Sequence, residues 1–480
     1  MTTSTLGTSC PDRTVQDAPG LAGLGPVLPV VGSDTLVPLV DGRQVPYANL
    51  DVAASAPALV SVAERVTEVL PLYASVHRGA GYLSQVSTAL YEASRRTIGE
   101  FVGARPDDVT IVTRNTTDSL NLLAGCVPAH ADGSPGRVLV LDVEHHANFL
   151  PWQRTGGATV LAGAASVAAT TELVRAELAR RPYALLAVTG ASNVTGESLP
   201  LGPLVSAAHD AGARVVLDGA QLVPHRRFSL ADSGVDYVAF SGHKTYAPFG
   251  AGALVGRRDW LDAGTPFLAG GGAVRQVGLD ATDWHVGTAR HEAGSPNVVG
   301  TVALAAACDA LGSLDPREAA AHESALRARL VEGLDAIDGV TVVRAWDDAS
   351  DPVGVVTFAV QDHDPGFVAA YLSAEHGIGV RDGRFCAHPL LHRLGLDGGA
   401  IRASVGVGTS GEEVERLLAA LAQFAADGPR ARYAIVDGCW TVVDDPRPVP
   451  AGSGLTGLFA TAAAGFVGES AGCGPVPAQG

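Results

Sequence analysis

The chain alternates short apolar runs with longer stretches whose apolar positions recur at helical spacing. Val109–Val112, Val138–Leu141, Ala184–Val188, Val215–Leu217 and Tyr237–Phe240 are each too short for a helix. None shows the polar alternation of a sheet with one wet face, so they read as strands of a mostly parallel sheet buried on both sides. Thr171–Arg181 and Pro203–Ala211 lie between successive runs as crossover helices, and Leu90, Ala93, Ile98 and Phe101 mark an apolar stripe over Ala89–Ala104. Past Val298, helical Thr301–Leu311 and Ala319–Leu334 lead to a second strand set, Val340–Val343 and Val353–Val360. A last helix opens on the capping box Ser410-Gly-Glu-Glu413 and presents Val414, Leu417, Leu418, Leu421 and Phe424 to a core.

This order predicts an α/β chain with a large, mostly parallel sheet domain and a smaller α+β domain. The expected boundaries are an N-terminal arm at 1–45, rich in Gly, Pro and Thr, and the large domain at 46–305. The small domain follows at 306–428, joined by part of the N-terminal segment, and a C-terminal extension at 429–480 is ordered near Tyr433–Val443 and partly disordered beyond. A hydrophobic share of 47% in 480 residues excludes a mostly disordered chain. The net charge of −17 argues against a nucleic-acid partner. No apolar run approaches the roughly 18 residues of a membrane span, and the polar, acid-bearing first 20 residues do not form a secretory signal. Cys10, Cys126, Cys308, Cys386, Cys439 and Cys473 are scattered without a CxxC pair, so no disulfide framework or metal site is expected, and reduced thiols in the cytoplasm are.

Of the 33 Lys and Arg residues only one, Lys244, is lysine. Arginine replaces lysine in most surface roles but not as an imine-forming amine, which makes Lys244 a candidate for covalent work. Ligands of open parallel sheets collect at the carboxyl ends of the strands. There, Val215–Leu217 runs into Asp218-Gly219-Ala220-Gln221 and Tyr237–Phe240 into Ser241-Gly242-His243-Lys244. An Asp before Gly commonly starts a turn. Paired with Lys244, Asp218 instead meets the needs of pyridoxal phosphate: an amine for the Schiff base and a carboxylate for the ring nitrogen. Asn115-Thr116-Thr117-Asp118 suits a phosphate at a helix N-terminus or an ordinary N-cap. Glu144-His145-His146-Ala147-Asn148 offers an imidazole that lies on a ring or sits at a polar surface.

Together these motifs resemble class V, fold-type I pyridoxal-phosphate enzymes, most closely the group II cysteine desulfurases and the related selenocysteine lyases. The resemblance rests on Val76-His77-Arg78-Gly79, Thr116-Thr117, Glu144 to Asn148, Ser192-Asn193, Asp218 to Gln221, Ser241 to Lys244 and Gly270-Gly271-Gly272. It continues with Glu292-Ala293-Gly294-Ser295-Pro296-Asn297, Arg381-x-Gly-x-x-Cys386-Ala-x-Pro389 and Arg402-Ala403-Ser404, in order from about Tyr47 to Phe424. It implies that Lys244 carries the cofactor and shuttles the α-proton, Asp218 pairs the ring nitrogen, Gln221 bonds the ring oxygen and His145 stacks on the ring. Thr116, Thr117, Ser241 and His243 would hold the phosphate, with Ser295 reaching the phosphate of a neighbouring subunit in a homodimer. Arg402, with Asn193, would clamp the substrate carboxylate, Arg381 and His77 would line the substrate side, and Cys386 would take sulfur from L-cysteine for an acceptor protein. Phe385 and Arg384 stand where the group II enzymes usually carry His, and Ser75 replaces a usual Asn; these departures surround the substrate rather than the cofactor. Another class V activity on a different amino acid, as a C–S lyase, aminotransferase or epimerase, is the alternative.

Overall fold

The structure, a computed structural model, describes residues 21, 23–77, 79–130 and 132–448. Expectations for the first 20 residues, for Arg78 and for the end of the C-terminal extension lie outside the described residues.

The short apolar runs form one seven-stranded sheet. Its strands are β1 (Asp108–Thr113), β2 (Val138–Leu141), β3 (Ala158–Leu161), β4 (Leu185–Thr189), β5 (Arg214–Asp218), β6 (Tyr237–Ser241) and β7 (Gly252–Arg257), in the spatial order β1-β7-β6-β5-β4-β2-β3. Strands β3, β2, β4, β5 and β6 pair in parallel. β7 runs antiparallel to both neighbours. Both faces are covered, which explains the unbroken apolar runs: Leu139, Leu141, Leu186, Val188, Val215 and Leu217 enter one core. Their alternates Val138, Val140, Leu185, Ala187 and Val216 enter another.

Sequence patterning left out two of these strands. β3 is half-buried at the sheet edge and its Val160 is exposed, and β7 begins on a glycine after the loop that follows Lys244. The helix expected over Ala89–Ala104 spans Tyr82–Phe101, because its first turn carries exposed Tyr82 and Leu83 rather than a core stripe.

A second, antiparallel sheet has the order β8-β9-β11-β10, from β8 (Val340–Val343), β9 (Val355–Val360), β10 (Arg381–Gly383) and β11 (Ala400–Ser404). Helices Pro316–Asp335, Pro365–His376 and Gly411–Asp427 cover it with Leu326, Leu330, Tyr371, Leu372, Leu417 and Leu421. The capping box is formed, Ser410 accepting from the Glu413 backbone while the Glu413 carboxylate accepts from Ser410 N. Segment Ala48–Asn49 pairs with Ile378–Gly379 and joins the N-terminal part of the chain to this layer. Beyond Asp427, a hairpin of Tyr433–Val436 and Cys439–Val442 sets Tyr433 and Trp440 against Phe367. Among the described residues no single helix is long and apolar enough to cross a membrane.

Candidate active site

The carboxyl ends of β4, β5 and β6 open into one cavity of about 370 Å³. Lys244 stands three residues past β6. Gly242 makes the turn between them possible, since a Cβ there would lie 2.8 Å from the Ala251 carbonyl and 2.9 Å from that of Ala247. Burial pushes the Lys244 amine down to about 8, against the opposing pull of Asp218 and with help from Arg402. Asp218 closes β5, and its Oδ1 accepts from Ala220 N at 3.0 Å. Burial raises its carboxyl above the ordinary range even with Lys244 nearby. A cation placed in the cavity beside it would relieve that penalty.

His145 is held by its backbone position after the buried Glu144, whose carboxylate accepts from Asn148 Nδ2 at 2.7 Å and from Thr189 N at 2.9 Å. The His145 Nδ1 accepts from Ala147 N at 3.0 Å, which assigns the ring proton to Nε2. Burial, then Lys244, lowers its pKa to about 3, so the ring stays neutral. On the opposite wall, helix Thr116–Ala124 starts with Asn115 accepting from Asp118 N. Thr116 N donates to Ser241 Oγ at 2.8 Å, and the two hydroxyls meet at 2.6 Å. Hydroxyls and first-turn N–H groups thus converge where an anion is favoured.

Arg402 sits on β11, almost fully buried, which pulls its guanidinium below its ordinary value. It donates from Nη1 to Asn193 O and from Nη2 to Asp51 Oδ1, both at 2.9 Å. Its Nε has no hydrogen-bond partner among the described residues. The Phe385 ring covers its face with the guanidinium carbon 5.4 Å from the ring centroid. Phe385 and half-buried Cys386 both adopt φ of +53°, a left-handed conformation that costs non-glycine residues about 1 kcal/mol each. Two bonds pin this turn: Asn193 Nδ2 donates to Phe385 O at 2.7 Å, and His146 N donates to Cys386 O at 2.8 Å. The result is a thiol fixed at the wall of the cavity that also holds Lys244 and Arg402.

Thr116, Thr117, His145, Asn193, Asp218, Gln221, Ser241, His243, Lys244, Arg381, Cys386 and Arg402 all line this cavity. His77 and Ser295 do not. His77 bonds Glu92 at 2.9 Å in a second cavity of about 550 Å³, walled also by Arg95, Gly271, His285 and Glu292. Ser295 is exposed. Sequence reasoning passed over Asp51, whose ion pair with Arg402 joins residues 351 positions apart; an isolated acid after Asn49-Leu50 gives no local signal. Glu144 and Glu292 carry no role readable from the sequence, because what each does depends on burial.

The donor set fits pyridoxal phosphate. Gln221 donates from Nε2 to Ala53 O at 2.7 Å and leaves Oε1, an acceptor for a ring hydroxyl, buried without a partner among the described residues. The Arg402 Nε is likewise buried without a hydrogen-bond partner among the described residues. A phosphate cradle, a buried amine, a buried carboxylate and a neutral imidazole surround a single space.

Comparison with known proteins gives the same direction. The class-V aminotransferase family profile matches residues 48–417. The chain is 35% identical to the "Probable cysteine desulfurase" of Vibrio cholerae serotype O1 over 393 residues, covering 80% of this chain and 94% of the relative. It is 37% identical to the "Probable cysteine desulfurase 2" of Mycobacterium leprae over 388 residues, covering 79% and 91%. Among solved structures, the cysteine desulfurase CsdA from Escherichia coli in its S-sulfonic acid form superposes with a TM-score of 0.71 at 31% identity, covering 80% of this chain and 95% of that one. The apo cysteine desulfurase from Thermococcus onnurineus NA1 gives 0.72 at 32%, covering 79% and 95%.

Proposed function

The chain belongs to the class-V aminotransferase family, and from that premise we propose that it is a pyridoxal-phosphate-dependent cysteine desulfurase. Its substrate is L-cysteine and, by the same chemistry, L-selenocysteine. The observation that carries this reading is the Cys386 turn: a left-handed turn held through two backbone carbonyls, whose cysteine shares a cavity with the only lysine of the chain and a buried arginine. A lyase or aminotransferase has no need of a nucleophilic sulfur there.

Lys244 would hold the cofactor covalently, Asp218 its ring nitrogen, Gln221 its ring oxygen, His145 its face, and Thr116, Thr117, Ser241 and His243 its phosphate. Bound there, pyridoxal phosphate supplies an electron sink for charge developing at the substrate's α-carbon. Arg402 binds the substrate carboxylate through the guanidinium N–H groups that Asn193 and Asp51 leave unused. The Lys244 amine, neutral in part near pH 8, is the group that moves the α-proton. Cys386 Sγ attacks the substrate sulfur, so an S–S bond forms as the C–S bond breaks. Net, L-cysteine and the Cys386 thiol become L-alanine and a Cys386 persulfide, the substrate's β-carbon being reduced as the sulfur is oxidised. Arg381 and Arg402 line the same cavity as Cys386, and positive charge there would favour a thiolate.

The persulfide sulfur then passes to an acceptor protein in the cytoplasm, where thiols stay reduced. We further read the chain as a homodimer. Leu70, Leu72, Tyr73, Tyr82 and Leu279 are exposed apolar side chains, and exposed Ser295 would reach the phosphate held by the other subunit. Incubation with L-cysteine and a reductant tests the activity. Alanine and sulfide should appear in equal amounts, and Cys386→Ala should stop both while the cofactor stays bound. Pyruvate with ammonia as products, or full turnover by Cys386→Ala, overturns the reading.

A further inference from the structure

The carboxylate clamp carries its own anion. Arg402 is almost fully buried, with Nη1 donating one N–H to Asn193 O and Nη2 donating one to Asp51 Oδ1. The Asp51 side chain keeps about a quarter of its surface open, 24% against 4% for Arg402. One partner of the pair is therefore locked in the protein and the other stands at the edge of solvent. A buried guanidinium without a counter-ion would be costly, and without substrate Asp51 is what meets that cost.

The backbone around Asp51 is built to hold it there. Leu50 N donates to Gly379 O at 2.9 Å, Ser404 N donates to Leu50 O at 2.7 Å, and Ala53 N donates to Ser404 Oγ at 2.9 Å. Two residues further, the strap reaches the cofactor side, where Ala53 O accepts from Gln221 Nε2 and Ala56 N donates to His243 O at 2.7 Å. Asp51 thus sits on a short segment fixed to the clamp strand at one end and to the cofactor pocket at the other.

Resting on the reading of Arg402 as the carboxylate clamp, we propose that Asp51 is a displaceable counter-ion: it orients Arg402 toward the cavity and competes with the incoming carboxylate for it. Each Nη keeps a second N–H, so an incoming carboxylate would bond the same guanidinium that Asp51 already pairs. Two carboxylates on one guanidinium repel, so the negative charge at position 51 weakens carboxylate binding while keeping the empty site charge-balanced. Asp51 is a positioning residue, and it sets the affinity at which the enzyme fills.

Calorimetric titration of the holoenzyme with propionate, which has the carboxylate but neither amine nor thiol, isolates this contact from turnover. Asp51→Asn keeps the size and the oxygen acceptor but removes the charge, and should bind propionate about tenfold more tightly, as expected for losing a like charge a few ångströms away in a partly buried site. Asp51→Glu keeps the charge and should bind propionate close to the parent value. Arg402→Lys should lose most of the binding. Unchanged or weaker binding by Asp51→Asn, equal tightening by Asp51→Glu, or propionate binding that ignores Arg402→Lys each overturns the proposal. A chain that forms no alanine from cysteine but shows these affinity changes refutes the desulfurase reading and leaves the counter-ion role standing.

Discussion

The side-chain amide of Asn193 donates to the carbonyl of Phe385 at 2.7 Å, and the backbone carbonyl of the same asparagine accepts from Arg402 at 2.9 Å. Asn193, four residues past the end of β4, therefore fixes both the turn that presents Cys386 and the arginine proposed to bind the substrate carboxylate. Asn193→Ala removes only the first of these bonds. It leaves a buried carbonyl unpaired beside two residues already in left-handed conformation, at a cost of about 1–3 kcal/mol. The expected outcome is a fall of about ten- to a hundredfold in kcat/KM for cysteine, measured as alanine release. Unaltered kinetics would show that the turn holds itself.

A second buried pair supports the phosphate side from below. Glu292 accepts from Arg95 Nη2 at 2.8 Å, from Tyr91 OH at 2.9 Å and from Val112 N at 2.7 Å, while Arg95 also donates to Thr110 O at 2.8 Å. The pair thereby anchors β1, the strand that runs into Asn115 and Thr116. Removing Glu292 leaves the half-exposed Glu92, which accepts from Arg95 Nε at 3.0 Å, as the remaining carboxylate on a buried guanidinium. Glu292→Leu is expected to lower stability by about 3–5 kcal/mol, and the double variant with Arg95→Met to recover part of that loss. Urea denaturation of the three proteins checks both statements; equal losses in the single and double variants would contradict them.

These two pairs also mark where sequence reading stopped. The sheet was legible because strands buried on both faces must be apolar throughout, and β2, β4, β5 and β6 appear as unbroken runs. β3 was not legible because an edge strand with exposed Val160 carries a weak pattern, and β7 because its start is set by pairing with β6 rather than by composition. Lys244, Asp218 and Cys386 were legible because each has a chemistry that few other residues can supply. Asp51 and Glu292 were not, since an acid on its own looks like solvated surface and gains meaning only from a partner hundreds of residues away.

The lone lysine gives a pH prediction. Its amine is lowered to about 8, with burial as the main cause and Asp218 acting in the opposite direction. Only the neutral amine captures an aldehyde, so the rate at which cofactor-free protein takes up pyridoxal phosphate should rise about tenfold per pH unit below 8 and level off above it. Asp218→Asn removes the charge that favours the ammonium form, so its midpoint should lie below that of the parent. Stopped-flow absorbance over pH 6–10 reads both; a midpoint in the variant equal to or above the parent's would refute the coupling.

His145 makes the final prediction, on stability rather than rate. Its folded-state pKa is depressed to about 3, chiefly by burial and next by Lys244, whereas in the unfolded chain a histidine titrates near its ordinary 6.5. Between those values the unfolded state binds a proton that the folded state refuses, so acidification favours unfolding. The contribution is fully present above about pH 6.5 and is lost as pH falls toward 3, at about 1.4 kcal/mol per pH unit. His145→Gln keeps a polar side chain of similar length and removes the titration. Its stability between pH 6.5 and pH 4 should therefore fall less steeply than that of the parent, by up to that slope, whatever its absolute stability at neutral pH. Urea midpoints at half-unit intervals through this window measure the difference, and parallel curves for the two proteins would mean that the ring accepts a proton in the folded state.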